Sequence, residues 1–195
     1  MDAAKLCESL GHKVEEAKLP IDDPVMRAAF LSIIHVSLAR VLDDAAKPLG
    51  RAVTEKDVEP ITWVIAQAGR NTSSIVYSRA INTLHQAGLT VAKLMQRYDV
   101  ILQPTLTKPP VALGTLSLSR NDLQGYIKDV GEFSPNTALY NWTGQPSMTV
   151  PLHWTPDGLP VGVMFSARFG DDATLFRLAA QLEKAKPWVG RRPKV

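Results

Sequence analysis

The sequence predicts an α/β fold in which a mixed β-sheet is flanked by helices, and three observations carry that prediction. Val100-Ile101-Leu102 is a short, wholly apolar run between Asp99 and Pro104, the pattern of a central strand buried on both faces. Residues 147–165 read as a hairpin: Met148, Val150 and Leu152 recur at every second position, Pro156-Asp157-Gly158 reverses the chain, and Val161, Val163 and Phe165 mark the return. In that turn proline presets φ, aspartate bonds to its own backbone and glycine accepts φ > 0. Around these strands, capped runs of apolar residues at helical spacing predict the flanking helices.

Taken in order, Ala3 to Leu10 predicts a helix closed by Gly11 as an αL cap, and Lys13 to Leu19 a short strand ending at Pro20. Asp22-Asp23-Pro24 supplies an acidic N-cap and a proline at the first helical position, opening a helix to about Ala46. That helix is apolar almost all round, from Val25 and Met26 to Val41 and Leu42, which predicts burial on every side. Its length suits a membrane span, but Arg27, His35, Arg40, Asp43 and Asp44 interrupt it, so no membrane crossing is expected. His35 reads as a core histidine, since no partner ligand stands four residues on.

Thr54 to Asp57 resembles a capping box, and Pro60 opens a helix to about Ala68. Asn71 to Ser74 caps a long helix reaching Tyr98, with Ile75, Ile81, Leu84, Val91, Leu94 and Met95 as its inward stripe. A proline-rich loop follows from Thr105 to about Arg120, then a helical turn within Asn121 to Gly131. Ser134-Pro135 starts a short helix towards Trp142 that breaks at Gly144 and Pro146. Asp171-Asp172 caps the last helix, whose one face carries Leu175, Leu178, Ala179 and Leu182 and which Pro187 stops.

Composition narrows the function classes. The chain has 195 residues, 45% hydrophobic and 21% charged, ordinary for one soluble domain. Net charge is +3, and the basic residues gather only at the tail (Lys184, Lys186, Arg191, Arg192, Lys194), so nucleic acid is not an expected partner. Cys7 is the single cysteine, which excludes an internal disulfide or a thiolate metal cage; beside Leu6 and Leu10 it reads as a small buried hydrophobe. His12, His35, His85 and His153 lack metal-ligand spacing and no glycine-rich phosphate loop occurs, so neither metal nor cofactor is expected. No basic segment followed by a long apolar run opens the chain, and a cytoplasmic setting is expected.

Several segments, in order, resemble the amidase signature family of serine hydrolases. Leu10-Gly11-His12-Lys13-Val14 is similar to the family's helix-to-strand step, Tyr98-Asp99-Val100-Ile101-Leu102-Gln103-Pro104-Thr105 to its strand and loop, and Asn141-Trp142-Thr143-Gly144-Gln145-Pro146 to its turn. Asp157 to Val163 resembles its hairpin, and Arg168, Gly170-Asp171, Leu182-Glu183 and Pro187-Trp188 its ending. The stretch Ala167 to Phe176 is similar to members described as 6-aminohexanoate cyclic dimer hydrolases. The resemblance implies amide hydrolysis through an acyl-enzyme, with a serine nucleophile, a second serine relaying a proton and a lysine base. A hydroxyl is a poor nucleophile until a placed base takes its proton, and the developing oxyanion needs preset donors.

In the family those groups lie N-terminal to the portion matched here, and the chain shows no substitute. Ser73-Ser74 is the only adjacent serine pair, lacks flanking glycines and reads as a helix N-cap. Ser147 follows Pro146 with no glycine two places on, so it forms no nucleophile elbow. The expectation is therefore that residues 1–195 are the C-terminal part of an amidase domain, with no catalytic residue of their own and no activity alone. The resemblance makes a small-molecule amide the substrate of the complete enzyme. Gln103 and Thr105 at a strand end, and Asn141 and Gln145 at a helix end, are the candidate substrate-binding residues, with plain turn chemistry as the competing account. The alternative is a non-catalytic module docking onto a separate N-terminal half. Either way the apolar helix from Pro24 predicts a homo-oligomer or pairing with that half.

Overall fold

The computed structural model describes residues 2–21 and 23–193, so the predicted cap at Asp22 and the tail residue Lys194 lie outside it. Two compact units divide the chain: Met1–Pro20, Leu89–Pro109 and Ser134–Val195 form the first, Ile21–Gly88 and Pro110–Phe133 the second.

The first unit is built on three strands, β1 (Val100–Pro104), β2 (Ser147–Trp154) and β3 (Pro160–Ala167), in the order β1-β3-β2. The hairpin is as predicted: Gly158 takes φ 82° in its turn, and Thr155 and Leu159 close it through Thr155 N–H to Leu159 O at 2.9 Å. Both pairings are antiparallel. The α/β class with flanking helices thus matches expectation, but the described strands supply no parallel pair to make the sheet mixed.

One face of this sheet is apolar. Val150, Leu152, Val163, Phe165 and Ala167 form a core with Ala3 and Cys7 of α1 (Asp2–Ser9) and Leu175 and Leu182 of α7 (Asp172–Ala185). Burial pushes the Cys7 thiol up, as fits an inert hydrophobe. The α7 cap is as read: Thr174 N–H and its hydroxyl both donate to the Asp171 carboxylate, at 3.3 and 2.7 Å. Lys13 to Leu19, predicted as a strand, forms neither helix nor ladder. Its side-chain pattern suits a strand; what it lacks among the described residues is a neighbouring backbone to bond.

The second unit contains α2 (Asp23–Leu49), α3 (Pro60–Arg70), the first part of α4 (Ser74–Leu94) and α5 (Leu123–Phe133). Leu42, Val53 and Ala66 anchor its apolar cluster, with Leu38, Val58 and Trp63 against them. Burial on every side of α2 is not what the structure shows. Met26, Ala29, Ala39 and Leu42 are buried, whereas Val25 is 52% and Val41 48% exposed. The reason is that α3 covers a single stripe. By length and composition alone Pro24–Leu49 could cross a membrane, with a mean hydropathy of 1.6.

The expected capping box at Thr54 is instead a turn: Asp57 accepts from Thr54 N–H and Oγ1, both at 2.8 Å, and is clasped by Arg51 at 2.7 and 2.8 Å. Those bonds hold the Asp57 carboxyl far below the usual range. The helix begins only at Pro60. Ser73 caps α4, its hydroxyl accepting from Val76 N–H at 3.2 Å, and the helical turn expected near Asn121 is the full helix α5.

Gly69 lets α3 close on α2. A Cβ there would stand 1.9 Å from the His35 carbonyl oxygen and 2.9 Å from the Val36 nitrogen. Backbone cannot yield as a side-chain tip does, so Gly69→Ala should cost about 3 kcal/mol or more, read as a lowered urea midpoint at unchanged m; a change within error would refute this contact. Beside it, the His35 Nε2 is buried with no partner, and burial lowers its pKa from 6.5. A depressed pKa stabilises the fold above the unfolded value and loses that contribution as pH falls through the folded one. The urea midpoint should therefore drop between pH 7.5 and 5.5, and His35→Gln should flatten the drop; an unchanged slope would refute the assignment.

Candidate functional site

The sheet face opposite α1 and α7 is polar, because side chains alternate along each strand. Ile101 and Gln103 of β1, Ser147 and Thr149 of β2, and Gly162, Met164 and Ser166 of β3 fall on it by register. Gln103 is half-buried, and its Nε2 donates to the Asn136 carbonyl at 3.4 Å, while Asn136 Nδ2 donates to the Pro104 carbonyl at 2.8 Å. This reciprocal clip ties the end of β1 to the start of α6 (Pro135–Thr143).

Thr105, one residue past β1, donates its N–H to Gly162 O at 3.1 Å, and its hydroxyl meets the Thr149 hydroxyl at 3.1 Å. These two threonines touch across the central strand only because Gly162 has no side chain. A Cβ there would lie 2.8 Å from Thr105 Oγ1 and 2.7 Å from Thr149 Cγ2. Such a glycine in a strand interior marks a close approach.

The second candidate group sits elsewhere on this unit. Asn141 is an exposed residue in the last turn of α6, not in a loop. Gly144 caps that helix with φ 78°, donating to Tyr140 O at 2.9 Å. Gln145 is 7% exposed, and the Thr143 hydroxyl stands between its side-chain oxygen and the Leu139 carbonyl, 2.9 Å from the latter. Gln145 is therefore committed to the helix end. Gln103 and Thr105 are brought together through their neighbours, whereas the hydrogen bonds of Gln145 run to α6 alone.

Sequence reasoning missed Asn136, Thr149 and Gly162. The glycine carried a signal: within a strand pattern it points to a close backbone or side-chain approach. It also missed a buried polar cluster beside them. Ser147 and Ser166 hydroxyls lie 2.7 Å apart. The Tyr140 hydroxyl next to Ser166 is buried without a well-formed hydrogen bond, and burial pushes it up to about 12. It stays protonated near neutral pH.

Chemically, this face offers neutral donors and acceptors: a carboxamide, four hydroxyls and a phenol. Such groups orient a polar neutral ligand and do not by themselves activate a nucleophile. Among the described residues no group of three or more histidine, cysteine or carboxylate side chains is placed to hold a metal. Asn136→Ala removes the donor to Pro104 and frees Gln103; a loss of about 1 kcal/mol is expected, seen as a Tm lower by about 2–4 °C. An unchanged melt would show that the clip contributes nothing.

Comparison with known proteins places this architecture. The family model described as Amidase matches residues 1–176. The 6-aminohexanoate-cyclic-dimer hydrolases of Paenarthrobacter ureafaciens and of Pseudomonas sp. (strain NK87) are each 30% identical over 99% of the chain. A solved structure of 6-aminohexanoate cyclic dimer hydrolase superposes with a TM-score of 0.90 over 98% of the chain at 30% identity. A bacterial aryl acylamidase shares the fold, with a TM-score of 0.77 at 22% identity. The chain spans 41% of the length of the two hydrolases. With its family model matched over most of its length and its fold shared with such enzymes, the chain belongs to the amidase signature family.

Proposed function

We propose that this chain works as part of an amidase that hydrolyses a carboxamide C–N bond, water adding across it to give a carboxylate and an amine or ammonia. The observation that carries the reading is the 30% identity and TM-score of 0.90 to 6-aminohexanoate cyclic dimer hydrolase. In this reading the nucleophilic serine, the relaying serine and the lysine base come from polypeptide outside these residues, and the chain alone is inactive. Its own part is to build one wall of the cleft. Gln103, with a carboxamide that both donates and accepts, and the Thr105–Thr149 hydroxyl pair are the groups suited to holding the amide in place. Gln145 has its side-chain oxygen taken up by Thr143 at the helix end, while Asn141, exposed in the last turn of α6, is the further candidate for contact with the amide.

A second reading, a non-catalytic module that docks onto a separate N-terminal half, draws support from the unpaired backbone at residues 13–19. The two readings differ in whether the docked assembly turns over. Incubating the purified chain with simple carboxamides and with 6-aminohexanoate cyclic dimer should release no amine or ammonia above a heat-killed control. Robust turnover by the chain alone would overturn the placement of the catalytic groups. Turnover should appear once the chain is combined with the unmatched portion of the Paenarthrobacter hydrolase; an assembled but inert complex favours the docking module.

A further inference from the structure

On the polar face of the sheet, Gln103 has a fixed polarity. A carboxamide can turn either its oxygen or its nitrogen to a neighbour, and its partners decide which. Here the partner is a backbone carbonyl. Gln103 Nε2 donates to Asn136 O at 3.4 Å, and a carbonyl only accepts, so the nitrogen lies on that side. The Asn136 carboxamide is settled by the same rule, since its Nδ2 donates to the Pro104 carbonyl at 2.8 Å. One residue on β1 and one at the start of α6 thus hold each other through groups whose polarity cannot be reversed.

Fixing Nε2 fixes Oε1. The carboxamide is planar, so Oε1 points away from the Asn136 carbonyl, and the second hydrogen of Nε2 stays on the α6 side of the group. Among the described residues no donor reaches Oε1, and it is not one of the buried polar atoms left without a partner. It therefore meets solvent, offering two lone pairs and no hydrogen. What a ligand meets at Gln103 is an acceptor.

The hydroxyl pair beside it supplies the opposite polarity. The Thr105 and Thr149 oxygens lie 3.1 Å apart. Two hydroxyls carry two hydrogens and their mutual bond uses one, so whichever oxygen donates, one hydrogen is left for a third group. Gln103 and Thr105 project from the same side of the chain with about 7 Å between their Cα atoms. An amide bonded at its N–H and its C=O, each bond about 2.9 Å long, spans that distance. Along the paired residues of β1, β2 and β3 no charged side chain falls on this face by register, so the ligand it suits is uncharged there.

We propose that this face reads an amide by both of its polar ends, the Gln103 oxygen accepting from the N–H and the threonine pair donating to the C=O, and so favours uncharged amides bearing an N–H over N,N-disubstituted amides and esters. This rests on the proposed function, in which an amide is the substrate, and names which amides. Asn136 is the positioning residue, acting through Gln103. A tertiary amide brings an N-alkyl group against Oε1 and strips it of water without giving it a donor. An ester brings a second acceptor. Either mismatch costs more than the matched bond gains. Enclosed sites that bond a substrate N–H reject the analogue lacking it by orders of magnitude; Gln103 is only half-buried, and a preference of about tenfold is expected.

The test titrates the isotope-labelled full chain with butanamide, N-methylbutanamide, N,N-dimethylbutanamide and methyl butanoate and follows its NMR signals to a dissociation constant for each. The two probes with an N–H should bind about tenfold tighter than the other two, moving the Gln103 side-chain, Thr105 and Gly162 signals. Gln103→Met, similar in length but without the amide, should bring all the probes to within about twofold of one another. Should that variant misfold, Gln103→Asn, one methylene too short to reach, carries the same expectation. Asn136→Ala loosens the clip and should reduce the preference; a preference kept in full would overturn the clip's part in it. Equal binding of all the probes, no saturable binding of any, signals moving only on another face, or a preference that survives the Gln103 substitutions would each overturn the proposal. Amine release by the chain assembled with the remainder of an amidase reports on the proposed function alone. Selective binding without turnover sinks the amidase reading and leaves the recognition standing, and turnover without selectivity does the reverse.

Discussion

Strand β3 is the constraint on which the first unit depends. It alone bonds on both edges: Thr105 N–H reaches Gly162 O on one side, and Ala167 N–H reaches Pro146 O on the other. Every residue from Val163 to Ala167 is buried. Val163, Phe165 and Ala167 fill the core under α1 and α7, while Gly162, Met164 and Ser166 face the polar side. A slip of one residue would exchange Phe165 for Ser166 across the sheet, and burial on the α1 side forbids it. The same register fixes which β1 groups bond inward and which look outward. Core packing and the polarity of the candidate site are one decision.

The polar face is organised by what is small. Gly162 permits the two threonines to meet, and the serine pair Ser147–Ser166 occupies the next row at 2.7 Å. Arg168, at the end of β3, donates to Met95 O at 2.8 Å, Tyr98 O at 3.3 Å and Asp99 at 2.8 Å. It thereby satisfies carbonyls at the turn leading into β1. Arg168 itself belonged to the resemblance, yet its role emerges only when the fold brings residue 168 beside residues 95–99.

What was legible in the sequence was local. Caps at Ser73 and Asp171, the Gly144 helix end and the Asp157-Gly158 turn each answer to residues within three or four positions, and each appeared as read. The failures share a different cause. Residues 13–19 have strand character but pairing is a property of two segments, and the sequence of one cannot report the absence of the other. The exposure of α2 is similar: apolar residues all round predict a need for cover, not its presence, and α3 is narrow. At Thr54 the capping-box pattern was correct in its bond, Asp57 to Thr54 N–H, and misleading in its consequence, because Arg51 draws the carboxylate into a turn. For the site, Gln103 and Thr105 were legible as a strand end, whereas Asn136 and Thr149 are 33 and 44 residues away from their partners.

Two of these failures point the same way. An edge strand that must face water is normally blunted by charge, proline or a bulge. β1 carries such protection only at Pro104, and elsewhere presents Val100 and Leu102, both packed at the margin of the core. Residues 13–19 are held as an outer wall by Tyr98–Glu15 and His12–Gln181 and do not collapse onto that edge. Collapse would give β1 a ladder at once, with up to about 1 kcal/mol per hydrogen bond to gain. The Tyr98–Glu15 and His12–Gln181 contacts therefore help to set the course of the chain before α2.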